Sequence, residues 1–198
     1  MTKKYELVLD DTISFWGWKL FRIRALISFG SVEVGDLGGY IEKEENLSHD
    51  DNAWVWGNAK VWGNAKVSGN AKVSGNAWVW GNAKVWGNAK VSGNAKVSGN
   101  AKVWGNAEVS GNAEVSGNAK VSGNAKVWEL GDIIVFKNHW SSGRHFTYTK
   151  SNKMWKVGCF YGTGQELIEK AYRDSEKSGN YYKAYVDFVE TLERLSEE

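Results

Sequence analysis

Proline is missing from all 198 residues, and cysteine occurs once, at Cys159. A chain without proline keeps a backbone donor at every position, which suits strands hydrogen-bonded along both edges. One cysteine excludes an intrachain disulfide, and a reducing cytosol is the default compartment. Between Val157 and Phe160, Cys159 reads as part of a packed strand rather than as a nucleophile. Histidine is scarce too: His49, His139 and His145 are the whole supply, and none lies in the regular part of the chain. Nothing approaches the ~20 apolar residues that span a bilayer, and the N-terminus lacks the apolar stretch of a signal peptide. The expectation is a soluble, cytoplasmic protein without membrane contact. A phosphate-binding loop is absent as well, since Gly162-Thr163-Gly164 has neither the spacing nor the lysine of one.

What the chain has in quantity is repetition. From Ala53 to Val127 the phrase V-x-G-N-A-x recurs, with Gly-Asn-Ala at Gly57, Gly63 and every sixth residue to Gly123. Periodicity of this kind is read before local propensity. A piece such as Ala65-Lys66-Val67-Ser68 alternates apolar and polar, the pattern of a strand with one buried face. Gly69-Asn70 then supplies the residue types that tolerate left-handed backbone angles, so it reads as a corner. Strand and corner in alternation, with valine and alanine inward, describe a parallel β-solenoid. A helix fails, because Val and Ala would wind around every side and each Gly would cost ~1 kcal/mol.

The phrase resembles the hexapeptide repeat of left-handed β-helix proteins, with an aliphatic residue (Val55, Val61, onward to Val127) followed four positions later by a small one. That resemblance implies a mainly β fold, a left-handed parallel β-helix with three flat faces and eighteen residues per coil. On such a coil the first face carries Lys66, Lys84, Lys102 and Lys120 in a column, with Trp86 and Trp104 beside it. The second carries Lys60, Trp78, Lys96 and Glu114, flanked by Trp62 and Trp80. The third carries Trp54, Lys72, Lys90, Glu108 and Lys126, flanked by Trp56 and Trp128. Coils lie ~4.8 Å apart, so a bare lysine column repels itself unless something anionic covers it.

Charge is unevenly placed. Residues 1–50 hold six basic and nine acidic side chains, residues 51–128 nine against three, and residues 129–198 ten against eleven. The solenoid is the basic part, which permits contact with an anion without establishing it.

Three segments follow: an N-terminal β cap (1–35), the β-helix (36–133), and a β-meander with an αα-hairpin (134–198). Residues 5–26 read as short strands turning at Gly17, a hairpin that covers the open end of the solenoid. Counting back by six from Ala53 reaches Leu47 and Ile41, so an irregular first coil begins near Leu37. The stretch Gly35–Val55, with Asp36-Leu37-Gly38-Gly39-Tyr40-Ile41-Glu42 and Asn46-Leu47-Ser48, resembles the lead-in of phage- and prophage-encoded hexapeptide-repeat proteins. It implies a viral or prophage origin and carries no catalytic site. Beyond Val127, Ile133 keeps the valine register. Ile133–Trp140, His145–Lys150 and Met154–Tyr161 then read as a three-strand meander. Thr163 and Glu166 form a capping box for a helix over 164–177, which Ser178-Gly179 ends, and a second helix runs over 181–196.

Candidate chemistry rests on two groups. The first is the tryptophans Trp54, Trp56, Trp62, Trp78, Trp80, Trp86 and Trp104, with Trp128, all at outward positions; grouped exposed aromatics mark contact surfaces. With Lys66, Lys84, Lys102 and Lys120 they form the candidate binding surface. Its occupants are, in order, further copies of the chain (a trimer before a dimer), a host protein anchored on Trp, and nucleobases stacked on Trp beside lysine. The second group is His139 and His145. Hexapeptide-repeat acyltransferases use a histidine base between subunits, and carbonic anhydrases of this fold use three zinc-binding histidines; here a third ligand is lacking. The reading is therefore non-catalytic recognition, with no cofactor, metal or catalytic residue. In the phage context it implies binding to a host component, such as an anti-defence target. Acyl transfer at an intersubunit site and nucleic-acid or nucleotide binding on the Lys/Trp faces are the alternatives.

Overall fold

The computed structural model describes residues 3–196. It opens with an antiparallel hairpin, β1 (Tyr5–Phe15) and β2 (Trp18–Ala25), and enters a solenoid through β3 (Leu37–Ile41). Thirteen two-residue strands, β4 to β16, then recur every six residues from Trp54–Val55 to Lys126–Val127. Pairing is parallel and always eighteen residues apart from β4 onward, as in Lys66↔Lys84 and Lys102↔Lys120. With β3 and the bridge at Leu47, the strands make about five turns. They sort into the three expected columns.

Each repeat donates three N–H groups to the turn ahead. Lys84 N–H reaches Ala101 O at 2.9 Å, Trp86 N–H reaches Val103 O at 3.0 Å, and Asn88 N–H reaches Gly105 O at 2.8 Å. Every alanine and valine of the array is buried, and each valine contributes roughly 1.5–3 kcal/mol. Corner glycines sit in the left-handed region and stack on one another: Gly87 has φ +70°, and a Cβ there would lie 3.1 Å from Gly105 N. Beside them the asparagine amides form ladders, Asn70 Nδ2 donating to Asn88 Oδ1 and Asn88 Nδ2 to Asn106 Oδ1, both at 3.1 Å.

Because each N–H points forward, the two ends of the solenoid need opposite chemistry. Its first turn exposes carbonyl oxygens and its last turn exposes N–H groups. Donors close the first end. Lys4 Nζ donates to Ala53 O at 2.9 Å, Tyr5 Oη to Leu47 O at 2.8 Å, and Asn46 Nδ2 to Gly63 O and Ala65 O at 3.1 and 2.9 Å. Acceptors close the other. Lys120 N–H donates to Thr147 Oγ1 at 2.9 Å, Lys126 N–H to Ser151 Oγ at 2.8 Å, and Trp128 N–H to Asp132 Oδ2 at 2.7 Å.

The expected first coil is present but longer. Ile41 pairs with Val61, and Leu47 bridges Val67, twenty residues apart rather than eighteen. Both take the valine position, so counting back by six from Ala53 fails. Two extra residues bulge out between Leu47 and Ala53, where Asp51 adopts a positive φ of 56°. The hairpin also does more than cover an end: β2 pairs with the free edge of β3 and extends the second-face sheet.

After Val127 the chain leaves the solenoid sooner than the valine register implies. Ile133 packs against the solenoid core, yet its backbone opens an antiparallel sheet: β17 (Ile133–Lys137), β18 (His145–Thr149), β19 (Met154–Val157) and β20 (Phe160–Gly162). Four strands stand where three were expected, because Gly158, at φ 56°, turns the chain before Phe160. Cys159 is thus an exposed turn residue, not a packed one. Helices α1 (Gly164–Asp174) and α2 (Glu176–Leu195) pack on this sheet around Phe146, Trp155, Leu167 and Val186. Thr163 and Glu166 cap α1 as expected. The break falls at Ser175 rather than at Ser178-Gly179. Ser175 Oγ caps α2, and Gly179 is kept inside the helix because the Tyr172 ring occupies the space of a Cβ.

Candidate binding surface

The eight solenoid tryptophans meet different fates, and the expectation that all of them face solvent fails at two. Trp54 is 1 % exposed and Trp62 2 %. Both project outward from the coil, but the chain's own N-terminal segment covers them. Phe29 and Tyr5 pack edge-on against Trp54. Over Trp62 lies the hairpin tip, with Phe15 and Trp16 edge-on to it and Leu20 and Tyr40 closing the cluster. Trp78 and Trp80 join the same cluster and are half-buried beneath Phe15 and Trp16. Trp56 is half-buried beside Trp54, and Trp128 stays 54 % exposed. Much of the aromatic surface that pointed to further copies of the chain is thus spent within one chain.

Trp86 and Trp104 are half-buried too, but against each other: they stack 5.0 Å between centroids and 3° from parallel, and among the described residues no hairpin aromatic stacks on either. Lys156 Nζ stands over the outer face of Trp104 at 5.7 Å. Along this row the residues are Ser48, Ser68, Trp86, Trp104 and Ser122, as the hydrogen bonds from Ser48 N to Val67 O and from Ser68 N to Val85 O fix. Trp86 therefore ends the stack, with a serine on its other side. Beside Ser48 and Ser68 lies an open cleft of about 460 Å³, bounded by Lys66, Leu47, Glu44, Glu45, His49 and Asp50.

Lysines line this face as expected. Lys66, Lys84 and Lys102 are exposed and Lys120 is half-buried. Among the described residues none of the four forms an ion pair. The other faces differ. On the third, Lys90 meets Glu108 at 2.9 Å, which holds that carboxyl below its ordinary value. On the second, Lys96 lies over the Trp78 ring at 5.2 Å. Partial burial, and then the positive charges of Lys102, Lys156 and Arg144, hold the Lys120 ammonium below the ordinary lysine value. The first face is thus a run of like charge, continued by Lys156 of the C-terminal sheet and by Arg144, which immediately precedes β18.

A comparison with protein families and with curated proteins finds no match. The parallel solenoid is accordingly shown by its own geometry. The histidines scatter. His139 is exposed, with Nδ1 3.4 Å from Tyr185 Oη, and His145 pairs with Lys137 at the end of β18. His49, at the other end, stacks on Tyr5 at 4.2 Å and accepts from Lys4 N–H at 3.2 Å. No group of three His, Cys, Asp or Glu side chains converges among the described residues, and no described helix is long and apolar enough to cross a membrane.

Two residues of structural weight escaped the sequence reading. Lys4 is 1 % exposed, and burial, against the pull of Asp51 and Asp50, lowers its pKa to about 8. Asn46 is fully buried. A lysine in a polar N-terminal stretch and an asparagine after two glutamates give no periodic signal. Only the need for donors at the first turn would have singled them out.

Proposed function

We propose that this protein is a non-catalytic binding protein that takes an anionic partner on the first face of its solenoid. The observation that carries the reading is the column Lys66, Lys84, Lys102 and Lys120, without an ion pair among the described residues and extended by Lys156 and Arg144. Four like charges at rung spacing repel one another, and an anion laid along them removes that repulsion. Origin in a phage or prophage, and with it action on a host component, rests on the lead-in phrase from Asp36 to Ser48. Kinship with hexapeptide-repeat proteins and assembly into a trimer are parts of the same proposal, supported by the V-x-G-N-A-x register.

The test is retention on immobilised heparin. Replacing Lys84 and Lys102 by Gln lowers the salt needed for elution. A control with the same loss of charge elsewhere, Lys72→Gln with Lys177→Gln, changes it much less. Equal losses for the two pairs would mean that only net charge matters, and would remove the first face as a site. Light scattering on the same fractions gives the subunit number.

A further inference from the structure

Resting on that reading, we infer that the anionic partner is a single-stranded nucleic acid, one base of which stacks on the open side of Trp86 over Ser68. The Trp104–Trp86 stack runs along the solenoid axis and stops where the row changes to serine. A ring added at rung spacing continues it over Ser68, whose side chain is far smaller than an indole; Ser68 also lines, with Ser48, the edge of a cleft of about 460 Å³ one rung on. The far end of the stack is closed by the Lys156 ammonium, so only the Trp86 side is open to a ligand.

Charge then orients the strand. The cleft wall carries Glu45 and Asp50, with Glu44 paired to Lys3 and His49, and these carboxylates disfavour a phosphate there and leave the cleft to a base. From Trp86 onward the flank is Lys84, Lys102 and Lys120, followed by Lys156 and Arg144, which suits a backbone of phosphates. Flat rings beside a track of cations are how sequence-tolerant single-strand binders work. A duplex keeps its bases paired and stacked, so it offers the cations its phosphates but offers Trp86 no base. An acidic protein segment supplies charge with no ring at all.

The experiment measures binding of a fluorescent single strand of about twelve nucleotides, within the range of single-strand site sizes. Competitors are the matching duplex, polyglutamate and heparin. The expected single-strand affinity falls with salt at a slope of ~−3, for about four phosphates engaged on a single strand. Trp86→Ala weakens it roughly ten- to hundred-fold. Trp86→Phe restores most of the loss, a control against simple misfolding. Ser68→Leu is the sharper variant: it leaves every lysine in place and fills the next position with a side chain that offers no ring to stack on, so single-strand binding falls while heparin binding stays. If duplex or polyglutamate binds as tightly as the single strand, or if Ser68→Leu and Trp86→Ala leave single-strand affinity unchanged, the stacking inference is overturned and the anionic face survives. If neither the strand nor heparin binds, the broader reading falls with it.

Discussion

Replacing Asn46 tests whether the solenoid's open ends are closed by hydrogen-bond polarity or merely by bulk. Asn46 is fully buried; its Nδ2 donates to Gly63 O and Ala65 O, and its Oδ1 accepts from Lys43 N–H at 3.0 Å. Leucine has the same branched shape and heavy-atom count, is bulkier, and supplies none of these. Three main-chain groups lose their partner, each worth ~1–3 kcal/mol when left unsatisfied. An adjoining cleft along Lys43, Glu45 and Asn64 admits water to some of them, so the expected loss for Asn46→Leu is about 3–5 kcal/mol. In urea this moves the midpoint down by at least ~1 M. Asn46→Asp separates polarity from packing. It keeps the acceptor for Lys43 N–H but turns a carboxylate oxygen toward two carbonyl oxygens, so the folded state favours the protonated acid and raises its pKa. A raised folded pKa means that stability is present below the unfolded value of ~3.9 and is lost as pH rises through the folded one. Measured against wild type at each pH, the Asp variant is therefore less stable than the Leu variant at pH ~7 and recovers toward wild type near pH ~4. A Leu variant within ~0.5 kcal/mol of wild type, or an Asp variant that ignores pH, would refute the polarity argument.

Two further outcomes follow from the same geometry. With its pKa lowered to about 8 by burial, Lys4 binds fewer protons folded than unfolded between there and its ordinary value. Stability therefore rises with pH across that window, by at most ~3 kcal/mol. Tyr5, whose hydroxyl burial pushes up, acts in the opposite direction but is common to both proteins when wild type is compared with Lys4→Met. A wild-type urea midpoint that climbs relative to this variant supports the assignment, and parallel curves sink it. For the corners, Gly87→Ala incurs both a left-handed alanine and an approach of 3.1 Å to Gly105 N, whereas Gly117→Ala, at φ +62°, meets nothing within 4 Å. The expected costs are ~1–2 kcal/mol at Gly117 and at least ~1 kcal/mol more at Gly87, read from thermal or urea melts. Equal costs would show that the stacked glycines have room to part.

Sequence periodicity carried the solenoid because every inward position in the array meets the same neighbours. Val85 lies between Val67 and Val103, so one local rule repeats and the columns of outward residues follow from it. Handedness is not in the spacing at all. Interruptions of the rule were harder to read. The two-residue bulge before Ala53 leaves every hydrophobic residue near its place and shifts only the register. Gly179 looks like a helix stop until Tyr172 is seen lying against it. Coverage of Trp54 and Trp62 depends on residues 5–29, whose docking is a contact across the sequence. One signal did exist: five of the tryptophans, Trp54, Trp56, Trp62, Trp78 and Trp80, crowd the first turns, within reach of a hairpin tip that is itself aromatic, Phe15-Trp16-Gly17-Trp18.

The duplicated block shows why the binding surface in particular had to wait for the coil. Residues 53–76 recur without a change at 77–100. Twenty-four residues are four repeats, but a turn contains three, so the copy is rotated by one face. Trp54, on the third face, has its twin in Trp78 on the second, and Trp62, on the second, has its twin in Trp86 on the first. The twins share every local neighbour in sequence, yet Trp62 is sealed under the hairpin while Trp86 is half-buried against Trp104 beside a lysine column. No local rule distinguishes them; what differs is which face the hairpin covers. On a repetitive scaffold the interior carries the fold and the outward residues carry recognition. Their meaning comes from rotation about the axis and from what the ends of the chain leave bare.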